Sequence, residues 1–120
     1  MSLVAAQAEF LLRVCDLVNY ATSNGFVVTG GELWRTPEQQ LIYFNSGKSK
    51  TMKSSHLNRL AIDLNFFKDG KLVSDRAVLR PLGALWESFG EKYRWGGSWR
   101  GQVESGASKF IDCPHFERQA

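Results

Sequence analysis

Leu60 to Phe67 alternates as an extended chain does, and it runs directly into Lys68-Asp69-Gly70-Lys71. Asp-Gly between two β-prone runs is a strong short-range hairpin signal, so a strand that folds back on itself is predicted here. Inside that strand stands a carboxylate, Asp63, between Ile62 and Leu64. A charge in a strand flanked by apolar neighbours lies on an exposed sheet face or is held by a partner. Whatever fold this chain takes must satisfy Asp63.

The remaining elements are read around that strand. Residues 3 to 23 predict an amphipathic helix closed by Asn24-Gly25, with Val4, Ala8, Phe10, Leu11, Leu12, Cys15, Val18 and Ala21 recurring at helical spacing as its apolar face. Cys15 on that face is expected to be a buried small hydrophobe. Phe26 to Thr29 is a short β run ending at Gly30-Gly31. Thr36-Pro37-Glu38-Gln39 carries a Thr cap, Pro in the first turn and Gln three residues after the cap, and it predicts a helix to about Asn45. The polar stretch from Asn45 to Ser55 predicts an exposed, mobile loop bearing Lys48, Lys50 and Lys53. A further helix is expected from near Pro81, carrying Leu82, Leu85, Trp86 and Phe89, and ending at Gly90 or continuing to Tyr93. After the glycine-hinged aromatic segment Trp95-Gly96-Gly97-Ser98-Trp99 and a polar loop, Lys109 to Phe116 predicts a closing strand. This order is α+β, a small antiparallel sheet with two to three helices, and not a βαβ alternation.

At 120 residues the chain is read as one domain, 1–120. The formal net charge of +3 suits an anionic partner, but the basic residues are scattered outside the lysine loop, whereas a tight nucleic-acid binder concentrates them on a face. No apolar run approaches membrane-crossing length, so no membrane insertion is expected. The amino terminus lacks a basic region ahead of its apolar stretch, so no signal peptide and synthesis in a cytoplasm are expected. Two cysteines, Cys15 and Cys113, do not make a disulfide scaffold.

The chain has two histidines: His56, seven residues before Asp63, and His115, three residues after Asp112. Zinc takes imidazole nitrogen and carboxylate oxygen in a tetrahedral shell, and a catalytic site keeps three protein ligands with one position open. Two His and one Asp meet that count, although spacing alone does not bring distant segments together. A cysteine nucleophile, Cys113 with His115, would use the same histidine and is set aside for the metal reading.

Ser54-x-His56-x6-Asp63 with Ala61 inside it, Trp95-Gly96-Gly97, and Asp112-x-Pro114-His115-Phe116-Glu117 together resemble the zinc peptidases of the lysostaphin, D-alanyl-D-alanine peptidase and sonic hedgehog clan. Within it, the segment SSHLNRLAIDLNFF is most similar to short phage endolysins that act as L-alanyl-D-glutamate endopeptidases. The resemblance runs from about Gly30 to Glu117 and implies a hedgehog/DD-peptidase-like fold. One departure is Arg59, where many relatives carry glycine, which bears on the shape of that loop and on substrate choice.

The resemblance implies His56, Asp63 and His115 as zinc ligands and Asp112 as the general base. Glu117 is the rival base, since residues two apart on a strand share a face and residues three apart do not; a bend at Pro114 would bring Asp112 round. Arg35 is implied as the residue that binds substrate or stabilises the oxyanion. Ser54 is a candidate substrate contact, and Trp95 and Trp99 are candidate groove walls, with aromatic core as the commoner use of either. The implied activity is hydrolysis of an amide bond in peptidoglycan stem peptides, the L-Ala–D-Glu bond first, in phage or prophage lysis of a host. The enzyme would be made in the host cytoplasm, would reach the wall on release, and would act as a monomer. A D,D-carboxypeptidase or dipeptidase, a non-hydrolytic zinc-binding recognition module, and a metal-free basic nucleic-acid-binding domain are the alternatives.

Overall fold

The computed structural model describes residues 2–49, 51–98 and 112–120. Helix α1 spans Leu3–Ser23, strand β1 Val27–Gly30, helix α2 Pro37–Asn45, strand β2 Ala61–Lys68, strand β3 Lys71–Leu72, helix α3 Arg76–Ser88, strand β4 Tyr93–Trp95 and strand β5 His115–Arg118. Short 3₁₀ turns occupy Ser55–Asn58 and Gly96–Ser98. Three helices and one small antiparallel sheet make this the expected α+β architecture.

Strand β2 is the axis of the sheet. Along one edge it pairs with β1, Val27 opposite Phe67 through Gly30 opposite Leu64. Along the other it pairs with β5 through Ala61, Ile62 and Asp63 and with β3 through Phe67 and Lys68. Strand β4 closes the far side of β5. Asp69 and Gly70 both take positive φ, 52° and 74°, so the Asp-Gly hairpin is the two-residue turn whose twist matches its strands.

Alternation divides the sheet into two faces. Leu64, Phe66, Phe116, Tyr93 and Trp95 are buried with α1 and α3 in one core. Trp86 is its hub, edge-on to Phe10, Tyr93, Phe89 and Phe116. The opposite face carries Asp63, His115 and Glu117, away from α1 and α3.

Two helices depart from the reading of their sequence. Helix α1 buries Ala6, Phe10, Val14, Leu17 and Ala21, while Val4, Leu11 and Leu12 are exposed at 73%, 55% and 60% and Cys15 is exposed as well. The helix has apolar residues on more than one side, and periodicity alone does not say which side meets the sheet. Helix α3 begins at Arg76, not near Pro81, because the Asp75 carboxylate caps it by accepting from Ala77 N–H at 2.9 Å. Pro81 therefore sits inside a helix, with its ring exposed. The stripe Leu79, Leu82, Gly83 and Trp86 is buried and outweighs the missing backbone donor. Helix α2 starts as expected, with Thr36 Oγ accepting from Gln39 N–H at 3.1 Å. The closing strand starts at His115; Asp112 to Pro114 form a turn, and residues 109–111, like Lys50 and Trp99, lie outside the described residues.

Candidate metal centre

The sheet face opposite the core brings three distant residues together. Asp63 and His115 are direct cross-strand partners of β2 and β5, and His56 comes from the 3₁₀ turn that leads into β2. Asp63 is pinned from both sides: its carbonyl accepts from Gly31 N–H at 2.7 Å, and its own N–H donates to Glu32 O at 2.9 Å. A Cβ on Gly31 would stand 2.9 Å from the Asp63 carbonyl oxygen, so this approach needs glycine.

His56 Nε2, His115 Nδ1 and Asp63 Oδ1 converge, with separations of 3.3, 3.4 and 3.5 Å. Each ring is oriented from behind. His56 Nδ1 lies 3.0 Å from the Leu33 carbonyl, and His115 Nε2 lies 2.7 Å from Glu117 Oε1, so the neutral rings carry their protons on those atoms. The nitrogens facing inward then offer lone pairs. Asp63 Oδ1 is buried and has no hydrogen-bond partner of good geometry among the described residues. Two lone pairs and a carboxylate oxygen pointed at one spot repel unless a cation lies between them. The observed separations also equal the edges of a tetrahedron whose vertices lie about 2.0–2.1 Å from its centre, the distance zinc takes to such ligands. The three residues fit a tetrahedral metal with one position left over.

Without metal, a proton does part of that work. Burial alone would lower the pKa of His115, but the close Asp63 and Glu117 carboxylates outweigh it and push the ring up to about 9. Burial would likewise raise Asp63, and the two imidazoles instead hold it far below the usual carboxylate range. The sign for stability follows. The charged His115 ring stabilises the metal-free fold fully below its ordinary value of 6.5, and that contribution is lost as pH rises through about 9. Metal and proton compete for the same nitrogen, so zinc uptake near pH 7 is expected to expel about one proton per chain. Calorimetric titration in two buffers of different ionisation enthalpy counts that proton. Heats that do not depend on the buffer would refute it.

Asp112 reaches the site from the turn before β5. His115 N–H donates to the Asp112 carbonyl at 3.1 Å, so the two residues are held by a turn and the opposed faces of a straight strand do not apply. Its carboxylate has no hydrogen-bond partner among the described residues. It is half-buried, and burial pushes its pKa up, while it still feels the charges of His115, Asp63, His56 and Arg35. Gly96 makes the turn possible: a Cβ there would stand 2.0 Å from the Asp112 carbonyl oxygen. Trp95, a candidate groove wall for which aromatic core was the commoner use, is 1% exposed and is core. Its ring fills the core under Gly83 and Gly97, and its indole N–H donates to the Cys113 carbonyl at 2.8 Å, so it holds the turn from below.

Arg35 lies between β1 and α2, with a side chain 10% exposed. Its Nε–H donates to Glu32 Oε1 at 2.6 Å, and Nη2 pairs with the same oxygen. Nη1 donates to Gln40 Oε1 at 2.8 Å and to Ser54 Oγ at 3.3 Å. Tyr43 covers the guanidinium at 4.6 Å. Of five N–H donors, one on Nη2 remains unclaimed among the described residues. Ser54 also caps the 3₁₀ turn by accepting from His56 N–H at 3.2 Å, so it fixes a proposed ligand as well as Arg35. Glu32, Gln40 and Tyr43 went unread in the sequence; the Glu three residues before Arg35 was the one signal that pointed to any of them. Arg59, where glycine was the expected type, adopts the left-handed conformation with φ 55° and lays its guanidinium over the Trp34 ring at 4.8 Å. The loop keeps the glycine-type backbone at a cost of about 1–2 kcal/mol.

Comparison with known proteins bears on the family and the fold. Residues 47–118 match the model of the family described as D-alanyl-D-alanine carboxypeptidase. The L-alanyl-D-glutamate peptidase of Listeria phage A118 is 38% identical over 105 residues, covering 84% of this chain and 34% of that protein. The chain thus spans about a third of the length of this curated relative. The fold is similar to that of the Serratia marcescens L-Ala D-Glu endopeptidase ChiX, with a TM-score of 0.63 and 19% identity over 86% of this chain and 75% of that one. It is also similar to a vancomycin-resistance D,D-pentapeptidase VanY variant in complex with Zn(II), with a TM-score of 0.60 and 20% identity over 92% of this chain and 70% of that one.

Proposed function

The chain belongs to the D-alanyl-D-alanine carboxypeptidase family, and on that premise we propose that it is a zinc peptidase of peptidoglycan stem peptides that cuts the L-Ala–D-Glu bond. The observation that carries the reading is the convergence of His56, Asp63 and His115 at tetrahedral spacing with Asp112 beside them. The choice of bond is supported by the phage relative, whose name states that activity.

His56, Asp63 and His115 hold the ion, and Leu33 O and Glu117 keep the two rings turned toward it. Zinc in this place supplies Lewis acidity that polarises the amide carbonyl and acidifies water. Asp112 accepts the proton of the attacking water and passes it to the departing amine. Arg35 offers its free Nη2–H and its charge to the carbonyl oxygen as negative charge develops there. Ser54 binds the substrate from the same side. The enzyme would act on the wall of a host cell after release, in phage or prophage lysis.

Digestion of purified peptidoglycan tests the reading. Mass spectrometry is expected to find stem peptides with a new amino-terminal glutamate and free L-alanine carboxyl ends. Release of D-alanine alone would make the enzyme a D,D-carboxypeptidase, and no product from zinc-loaded protein would remove the hydrolytic reading.

A further inference from the structure

Gln40 is 0% exposed, although it is a polar residue on a nine-residue helix whose other side chains are partly or fully exposed. Its amide is used completely. Oε1 accepts from Arg35 Nη1 at 2.8 Å, and Nε2 donates to Ser49 Oγ at 2.9 Å and to the Thr51 carbonyl. One face of the amide thus grips the guanidinium and the other grips the polar loop between α2 and His56. That loop was expected to be mobile; at Ser49 and Thr51 it is fastened to the core of the site.

From this we propose that Gln40 is a positioning residue, which joins Arg35 and the lysine-bearing loop into one unit and thereby sets the aim of the Arg35 guanidinium. The proposal rests on the reading of Arg35 as the group that meets the substrate carbonyl. Its physical content is specific. Glu32 holds Nε and Nη2, and Tyr43 covers one face, but neither fixes Nη1. Besides Gln40, Nη1 meets Ser54 Oγ at a long 3.3 Å. Gln40 supplies the short bond that stops rotation of the plane, and it does so as a neutral acceptor. A second carboxylate there would cancel the charge that Arg35 carries toward the substrate.

The test uses the full chain with two variants. Gln40→Leu keeps the volume and removes both grips; Gln40→Glu keeps the acceptor for Arg35 and turns the loop-facing donor into an acceptor aimed at the Thr51 carbonyl. Both are expected to retain zinc. Loss of the Gln40 bonds to Ser49 and the Thr51 carbonyl, which leaves the loop only its internal Ser49–Thr51 bonds there, should raise tryptic cleavage after Lys48 and Lys53 about tenfold in both. In Gln40→Leu the Arg35 Nε–H signal in NMR should shift and exchange faster, and kcat should fall about 10–100-fold with KM little changed. Gln40→Glu should keep the Arg35 signal protected. A zinc-loaded Gln40→Leu with parent-like proteolysis, Arg35 signal and kcat would overturn the proposal. If Gln40→Leu does not fold, parent-like proteolysis of Gln40→Glu overturns it alone. Should the parent cut no stem peptide, the peptidase reading fails, and the proteolysis and Arg35 signals still decide this one.

Discussion

Asp112→Asn is expected to bind zinc as the parent does and to lose about 10²–10⁴ of its turnover, the usual cost of removing a positioned general base. The substitution keeps the shape of the side chain, and the turn is held by backbone: His115 N–H to Asp112 O, Asp112 N–H to Gly96 O, and Trp95 to Cys113 O. None of these bonds uses the carboxylate, so the fold should be untouched. Glu117→Gln is expected to behave differently. Glu117 Oε1 takes the proton-bearing side of His115 at 2.7 Å, so it orients and charges a ligand from behind. Its amide can still accept there, and the loss should be about 10–100-fold, shared between metal affinity and rate. Activity and zinc content measured on both variants separate the roles. A metal-loaded Asp112→Asn that still works, beside a metal-loaded and dead Glu117→Gln, would make Glu117 the base.

The contest between Asp112 and Glu117 illustrates what a sequence does and does not disclose. Features fixed by a few neighbouring residues were legible: the Asp69-Gly70 hairpin, the Thr36 cap, and Asp63 as a carboxylate needing a partner. Strand alternation set Glu117 and His115 on one face, which holds, but it also counted Asp112 as part of the strand. A backbone bond from Asp112 N–H to the carbonyl of Gly96, a residue 16 positions earlier, helps turn the chain there, and local pattern carries no trace of it. The same limit explains the other departures. Helix α1 offers apolar residues on two sides, and only contact with the sheet selects Phe10, Val14 and Leu17 over Leu11 and Leu12. Pro81 reads as a helix start because prolines usually stand there, yet burial of Leu79 with Leu82 and Trp86 draws the start back to the Asp75 cap. Trp95 is aromatic beside two glycines, a pattern that serves a groove or a core; Gly83 on a different helix makes the room that settles it as core. Glu32 and Gln40 are ordinary polar residues by any local measure. They matter because Arg35 lies between them.

Loss of His56 or His115 should have the largest effect on the molecule, since it removes metal and activity together. His56→Ala takes away one vertex of the triangle and leaves the Leu33 carbonyl without its donor; His115→Ala takes away another and leaves Glu117 Oε1 without its ring partner. On the proposed reading zinc binds the folded parent and not its unfolded chain, so a free concentration 100 times the dissociation constant should stabilise the fold by about 2.7 kcal/mol. For a chain of 120 residues that is a rise of roughly 10 °C in melting temperature. Chelator should reverse it. Both alanine variants are expected to melt at one temperature with or without zinc, and elemental analysis should find close to one zinc in the parent and little in either variant. With the ion goes several kcal/mol of stabilisation of the charge that develops during amide hydrolysis, about 10³-fold or more in rate at about 1.4 kcal/mol per tenfold. The melting measurement matters because it reads the metal without reference to catalysis. A zinc-dependent rise of parental size in both variants would place the ion elsewhere, and the lone pairs converging on Asp63 would then need another explanation.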